Sequence, residues 1–336
     1  MTIHDLANYL GLSIATVSRV LNGKAKDYRI SDATSRKVLD AARQLNYRPN
    51  RIARGLKLTR TETLGLIVPD IANPFFASIA KNIELEARRH GYSLILCDSL
   101  DETETENELL QLLWERKVDG IIIAPVGYHY QNILALKNRG IPVMVIDRHF
   151  PGIALPFIAS DNYTGAYSAV EYMISQGHKR IACIQGMPGV SVNIARVKGY
   201  HDALNDHHIA FDPKLLAGQD FGEKNGYIQT RLLMSNSSPP TAILALSNLI
   251  SLGVLRAIGE IGLGIPDDVS LVSFDEQPYS AFLSTPMTTI EQRKDEIARL
   301  AVHSLLDLIN NPAEKRAMEM VLKPSMIIRK SVRNIL

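Results

Sequence analysis

The sequence predicts an α/β protein in which a small all-α helix-turn-helix head is followed by two doubly wound parallel-sheet lobes. Three observations carry this. Apolar residues near the start recur at helical spacing around glycine-broken segments, short continuous apolar runs then alternate with helical patterns, and that alternation passes through the chain twice. Continuous apolar strands between helices mark parallel sheets covered on both faces.

In the head, Ile3, Leu6, Ala7 and Leu10 follow the i, i+3, i+4, i+7 spacing of an amphipathic helix, and Gly11 supplies the turn that ends it. Ser13 fits an N-cap for a second helix from Ile14 to Leu21. There Val17, Val20 and Leu21 make one apolar stripe, while Ala15, Thr16, Ser18 and Arg19 lie on other faces and Asn22-Gly23 closes the end. A third helix follows Ser31 and runs to about Leu45, burying Val38, Ala42 and Leu45. The second helix offers small polar groups plus Arg19 and no acid, which suits insertion into a major groove about 12 Å wide.

The body reads as strands at Leu64 to Val68, Ser93 to Cys97, Val118 to Pro125, Val143 to Asp147 and Phe157 to Ser160, with helices Ala77 to His90 and Thr103 to Lys117 between the first of them. A second series has strands Arg180 to Gln185, Ala242 to Ser247 and Val269 to Asp275, with helices Tyr163 to Gln176, Ile194 to His207, Glu223 to Met234 and Leu249 to Ile261. Two such halves leave a cleft, and ligands of open α/β sheets sit beyond the carboxyl ends of strands. The residues just there are polar or aromatic: Asp70, Asn73-Pro74-Phe75-Phe76, Asp147-Arg148, Asp161-Asn162, Ser247-Asn248 and Asp275-Glu276. Carboxylates, amides and ring faces together suit a small polyhydroxyl guest.

Composition agrees. A chain of 336 residues with 46% hydrophobic and 21% charged residues is ordinary globular protein. Its net charge of +2 hides an asymmetry: residues 1–60 carry twelve Lys or Arg against four Asp or Glu, a net +8, and the remainder carry 25 against 31, a net −6. A basic head on a mildly acidic body indicates a polyanion-binding module. No apolar run approaches the roughly 18 residues of a membrane span, and the start lacks a secretory pattern, so a cytoplasmic protein is expected. Cys97 and Cys183 sit inside apolar runs and read as buried free thiols.

A family resemblance rests on specific runs. Ile3-His4-Asp5-Leu6-Ala7, then LSIATVSRVLN from Leu12 to Asn22, then Leu45-Asn46-Tyr47-Arg48-Pro49-Asn50 resemble the DNA-binding head of the lac/galactose repressor family, and the likeness continues through Arg51 to Leu56. VPDIANPFF, RKVDGIII, IPVMVID, GHKRIACIQG, RVKGY, PTAILALSN, IPDDVSLVSFD and MTTIEQ, in that order, are similar to periplasmic-binding-protein-like effector domains. The resemblance implies a DNA-binding domain at 1–48, a hinge helix and linker at 49–61, and an effector and dimerisation domain at 62–336. Within the last, it implies one lobe of about 62–161 plus 290–320 and another of about 162–289 plus 321–331.

It further implies a homodimer on pseudo-palindromic operator DNA. Ile14, Ala15 and Arg19 take the base-reading positions, Ser13, Thr16, Ser18 and Asn22 complete the DNA-facing set, and Asn50, Ala53 and Leu56 belong to the hinge segment. Leu56 is the candidate wedge that unstacks a base step, unless it packs on the next domain. The loop Lys24 to Tyr28 is longer than the family pattern and either adds a phosphate contact or is solvated. For the effector, the resemblance implies Phe75, Phe76 and Phe221 as aromatic walls, and Asp147, Arg148, Arg196, Asn248 and Asp275 as polar contacts. Where the family commonly reads Asn-Asp then Ala, this chain has Ser247-Asn248 and Ser251; Asn248 either binds ligand or caps the next helix, and Asp147 has a turn cap as its alternative role.

The expected function is a transcriptional repressor switched by a sugar or sugar phosphate, with a purine- or nucleoside-responsive corepressor mode as the alternative. A solute-binding protein needs an export signal, and a kinase needs a phosphate loop. No HExxH, GxxxxGK[ST], GxSxG or paired CxxC occurs, and no enzyme, metal or cofactor is expected. His178-Lys179-Arg180 reads as the exposed start of a strand.

Overall fold

A computed structural model describes residues 1–47, 60–127, 129–311 and 318–336. The chain divides into two compact units, Met1–Thr61 and Glu62–Leu336.

The first unit holds three helices, α1 (Ile3–Leu10), α2 (Ile14–Leu21) and α3 (Asp32–Gln44). Each starts at a hydroxyl cap: Thr2, Ser13 and Ser31 accept from the backbone N–H three residues on. Gly11 adopts φ 63°, a left-handed conformation that costs glycine least, and so turns the chain between α1 and α2. Leu6, Ala7, Leu10, Val17, Val20, Val38, Ala41 and Ala42 form the small core, with Leu45 half-buried at its edge.

The second unit contains two six-stranded sheets. One has the order β11-β5-β4-β3-β1-β2, from β1 (Thr63–Val68), β2 (Ser93–Asp98), β3 (Gly120–Ile123), β4 (Val143–Ile146), β5 (Phe157–Ser160) and β11 (Glu319–Leu322), all parallel. The other has the order β12-β10-β9-β8-β6-β7, from β6 (Ile181–Ile184), β7 (Leu216–Ala217), β8 (Ala242–Ala245), β9 (Ser270–Phe274), β10 (Thr288–Glu291) and β12 (Ser325–Ile327), with only β12 antiparallel. Helices α4 (Pro74–Arg89), α5 (Thr103–Glu115), α6 (Gln131–Asn138) and α11 (Lys294–Asn310) belong to the first lobe. Helices α7 (Asn162–Ser175), α8 (Ser191–Asp206), α9 (Glu223–Met234) and α10 (Asn248–Glu260) belong to the second.

The pleat explains why these strands are apolar throughout. Leu64, Leu66 and Val68 face the core under α4 and α11, whereas Ile67 faces the core under α5 and α6. In the second lobe Ile181 and Cys183 face one core, and Ala182 and Ile184 the other. Both cysteines are buried and free.

The chain crosses between lobes after β5, after β10 and after β11. Glu291 is thus still in the second lobe and Leu322 in the first, a shift of a few residues from the sequence boundaries at 290 and 320, because each strand is completed before the chain leaves its sheet. Helix α4 starts three residues earlier than Ala77, since Asn73 caps it and Pro74 sits at its first turn. His178 corrects the sequence reading: it is buried, its ring bonded to the Thr241 hydroxyl at 2.9 Å and the Arg333 carbonyl at 3.1 Å. No helix among the described residues is long and apolar enough to cross a membrane.

Helices α9 and α10 approach through glycines. A Cβ on Gly253 would meet the Glu223 carbonyl, and one on Gly226 the Ile250 carbonyl, so neither backbone can yield locally. Gly253→Ala should therefore destabilise by about 1–3 kcal/mol. Thermal denaturation should show the melting temperature falling by several degrees; an unchanged value would contradict this packing.

Candidate functional site

The first candidate surface is α2. Ala15 and Arg19 are exposed and Ser18 is half-exposed on the side away from Val17 and Val20, and the helix bears no acid to repel phosphate. Ser13 and Thr16 are partly committed locally, the Ser13 Oγ accepting from Thr16 N at 3.1 Å, and Asn22 caps the other end by donating to the Ser18 carbonyl at 2.8 Å. Ile14 packs half-buried against the head core. The loop Lys24 to Tyr28 has a role that sequence reasoning missed: it brings the Tyr28 ring under Arg19, whose guanidinium carbon lies 3.8 Å from the ring centroid. Asn50, Ala53 and Leu56 lie outside the described residues.

The second is a cavity of about 280 Å³ between the lobes of the Glu62–Leu336 unit. Phe75, Phe76, Asp147, Arg148, Arg196, Phe221, Asn248 and Asp275, read from sequence as one set, all line it. Strand ends place them. Asp147 follows β4 and Asp275 follows β9, and both take left-handed backbone, at φ 61° and 72°. Such strain in non-glycine residues persists where surrounding structure holds it, commonly at ligand sites. The Asp147 carboxylate has no hydrogen-bond partner among the described residues, so it is no turn cap. Burial raises its pKa, Arg148 and Arg196 oppose the rise, and Asp275 adds to it.

Both arginines are held by their own lobes. Arg148 donates from Nη1 to Asp101 Oδ1 at 3.1 Å and to the Pro125 carbonyl at 3.2 Å, leaving its buried Nε without a partner. Arg196 donates from Nε to Asn162 Oδ1 at 2.7 Å and from Nη1 to the Leu246 carbonyl at 2.6 Å, and stacks 3.9 Å from the Phe274 centroid. Asp275 accepts from Gln292 Nε2 at 2.6 Å.

Ser247, not Asn248, caps α10. Asn248 instead donates across the cleft to Asn73 Oδ1 at 2.9 Å, and its own Oδ1 is buried without a partner, as is Gln292 Oε1. The backbone N–H of His149 makes a second cross-lobe bond to Ser191 Oγ at 3.0 Å. Phe75 and Phe76 meet edge-on at 75°, their centroids 5.1 Å apart, so the pair offers an L-shaped wall. Sequence reasoning left Asn73, Asp101 and Gln292 out of the site set.

The comparisons with known proteins agree with this architecture. Residues 2–50 match bacterial regulatory proteins, lacI family, and residues 61–330 match periplasmic binding proteins and sugar binding domain of LacI family. The chain belongs to the LacI family of DNA-binding transcriptional regulators. It is 33% identical over 334 residues, 99% of each chain, to the HTH-type transcriptional repressor PurR of Pasteurella multocida. It is 33% identical over 331 residues, 98% of each chain, to the ribose operon repressor of Haemophilus influenzae. Among solved structures, a LacI family regulator from Enterococcus faecium with bound ribose aligns at TM-score 0.74 and 30% identity, covering 82% of this chain and 100% of that one. These relatives are regulators, not enzymes.

One buried acid beside the cleft titrates near neutrality. Glu106 on α5 accepts from Val126 N at 2.6 Å, and burial pushes its pKa up from 4.5 to about 7 against the pull of that bond and of Arg148. A pKa raised by folding means stability present at low pH and lost as pH rises from about 4.5 through 7, on the order of 3 kcal/mol. Glu106→Gln should flatten this slope and make the protein more stable than the parent at pH 8. Urea denaturation at pH 5 and pH 8 checks it; equal pH dependence in both proteins would refute the assignment.

Proposed function

We propose that this protein is a homodimeric repressor, acting in the cytoplasm where its DNA is, whose operator affinity is set by a free aldopentose of the ribose type bound in the cleft. The observation that carries the ligand class is the pair of buried acceptor-only carboxylates, Asp147 and Asp275, one from each lobe. Neighbouring hydroxyls can donate to both at once, while Phe75, Phe76 and Phe221 cover the apolar ring face. A phosphate dianion would face two carboxylates, which disfavours a sugar phosphate. The cavity lies just under the range of about 300–1,000 Å³ for drug-sized ligands, which fits a monosaccharide. The name and bound ligand of two relatives support the same class.

A purine base is the second reading, favoured by the relative named PurR. Against it, the edge-on phenylalanine pair provides no parallel plates for a flat ring.

Switching follows from linkage. A ligand held by both lobes favours the arrangement in which they meet, and whatever factor it imposes on DNA affinity, DNA imposes on ligand affinity. Induction, rather than corepression, is the proposed direction. Palindromic reading requires two heads, and hence two copies of the chain.

Calorimetry on the full chain should show D-ribose binding, with Asp147→Ala weakening it by about 30–150-fold, the cost of about 2–3 kcal/mol for a lost charged hydrogen-bond acceptor. Heat from a purine base and none from ribose would establish the second reading instead. For DNA, Arg19→Ala should relax preference at one position per half-site by about 1–3 kcal/mol. Binding measured across randomised half-sites with an unaltered preference would remove Arg19 from the reading set.

A further inference from the structure

Away from the cleft, two helices of the first lobe bring together three potential metal ligands. Glu86 and His90 are four residues apart, on one face at the C-terminal end of α4, and His303 comes from the middle of α11. The three ligand atoms lie within 4.8 Å of one another, and this is the one such cluster among the described residues. Glu86 Oε1 is 2.8 Å from His303 Nε2 and 3.4 Å from His90 Nε2. The two rings stand nearly perpendicular, 86° apart with centroids at 4.9 Å, so their Nε2 atoms converge on the same oxygen.

We propose that Glu86, His90 and His303 form a site for a divalent transition-metal ion of the zinc type. Zinc bonds of about 2.0–2.2 Å place neighbouring ligand atoms roughly 3.3–3.5 Å apart in a tetrahedron. The carboxylate is almost wholly buried, whereas His90 and His303 are 39% and 44% exposed and can swing by the roughly 1 Å required to bring all three atoms to that spacing. Arg89 donates from Nη1 to Glu86 Oε2 at 2.7 Å, which occupies that oxygen and leaves Oε1 as the single ligand atom. Arg89 is 75% exposed, so solvent screens its repulsion of the ion. Two imidazoles and one carboxylate select zinc, cobalt, nickel or copper over magnesium or calcium, and solvent completes the coordination. Both helices start at the cleft, α4 with Phe75 and Phe76 and α11 just after Gln292, so the ion would tie together two supports of the effector site.

The test uses tag-free full-length protein, stripped with chelator and exchanged into chelator-free buffer. Titration with zinc chloride by calorimetry, and with cobalt chloride by visible absorption, should reveal one saturable site per chain and a raised melting temperature. His90→Ala and His303→Ala should each weaken it by about tenfold or more. If an alanine variant fails to fold, His303→Gln, which retains a donor to Glu86 without an imidazole, is read in its place and should lose binding equally. Absence of saturable binding, undiminished affinity in the folded variants, or an equal thermal shift from magnesium chloride would overturn the proposal.

Discussion

Burying two like charges in one crevice is costly unless each is compensated, and the cleft of this protein does so with Asp147 from one lobe and Asp275 from the other. Arg148 and Arg196 supply the compensation, and each is pinned by its own lobe, through Asp101 and Pro125 in one case and Asn162 and Leu246 in the other. Both guanidiniums are thus anchored within their lobes while lining the cavity. What remains unmatched is mostly acceptors, the buried Oδ1 of Asn248 and Oε1 of Gln292 beside the Asp147 carboxylate, with one donor, the buried Nε of Arg148. A guest rich in hydroxyl donors meets that need better than an anion does.

The same constraint bears on switching. Three crossings join the lobes, and all lie along one side of the unit, after β5, β10 and β11. Against that hinge, the direct cross-lobe bonds found among the described residues are few: Asn73 with Asn248, His149 with Ser191, and the Lys294 ammonium at the start of α11 with the Glu276 carbonyl at 3.0 Å. Neutral hydrogen bonds are each worth about 1 kcal/mol net and one with a charged donor about 1.5–3 kcal/mol, so the lobes alone are held by only a few kcal/mol. A ligand contacting both carboxylates adds an increment of the same order, which is the differential affinity a ligand-controlled two-state element requires.

Much of this site was legible because residues beyond strand ends are adjacent in space whatever the details of the helices. Phe75, Phe76, Asp147, Arg148, Asn248 and Asp275 converge on one cavity for that reason, while Arg196 and Phe221 were legible only through the family resemblance. Gln292 escaped because the crossing that carries it precedes α11, a helix not marked in the sequence reading although Ile297, Ala301 and Leu305 recur at helical spacing and are fully buried. Helix α6 has only Ile133 and Leu136 buried in eight residues, too little periodicity to identify it. His178 looked exposed beside Lys179 and Arg180, and its partners Thr241 and Arg333 are remote in sequence, which no local pattern can reveal. Ser247 and Asn248 were ambiguous because either can cap a helix; the structure gives the cap to the hydroxyl and leaves the amide for the cleft.

In the head, the loop Lys24 to Tyr28 before α3 sets an aromatic ring against Arg19. An exposed arginine on a recognition helix loses rotamer freedom when it engages a base, a cost of up to about 2 kcal/mol for so long a side chain. With Tyr28 stacked 3.8 Å from its guanidinium, Arg19 has already surrendered part of that freedom in the unbound head. Two consequences compete: a planar, partly ordered fork is closer to the geometry of a bidentate guanine contact, yet the stacking must be kept or exchanged as the contact forms. An exposed cation–π pair is worth about 0.5–1 kcal/mol, less than a good bidentate base contact at about 1–3 kcal/mol. For an arginine that reads a base, that balance favours release to the correct base and retention against a wrong one.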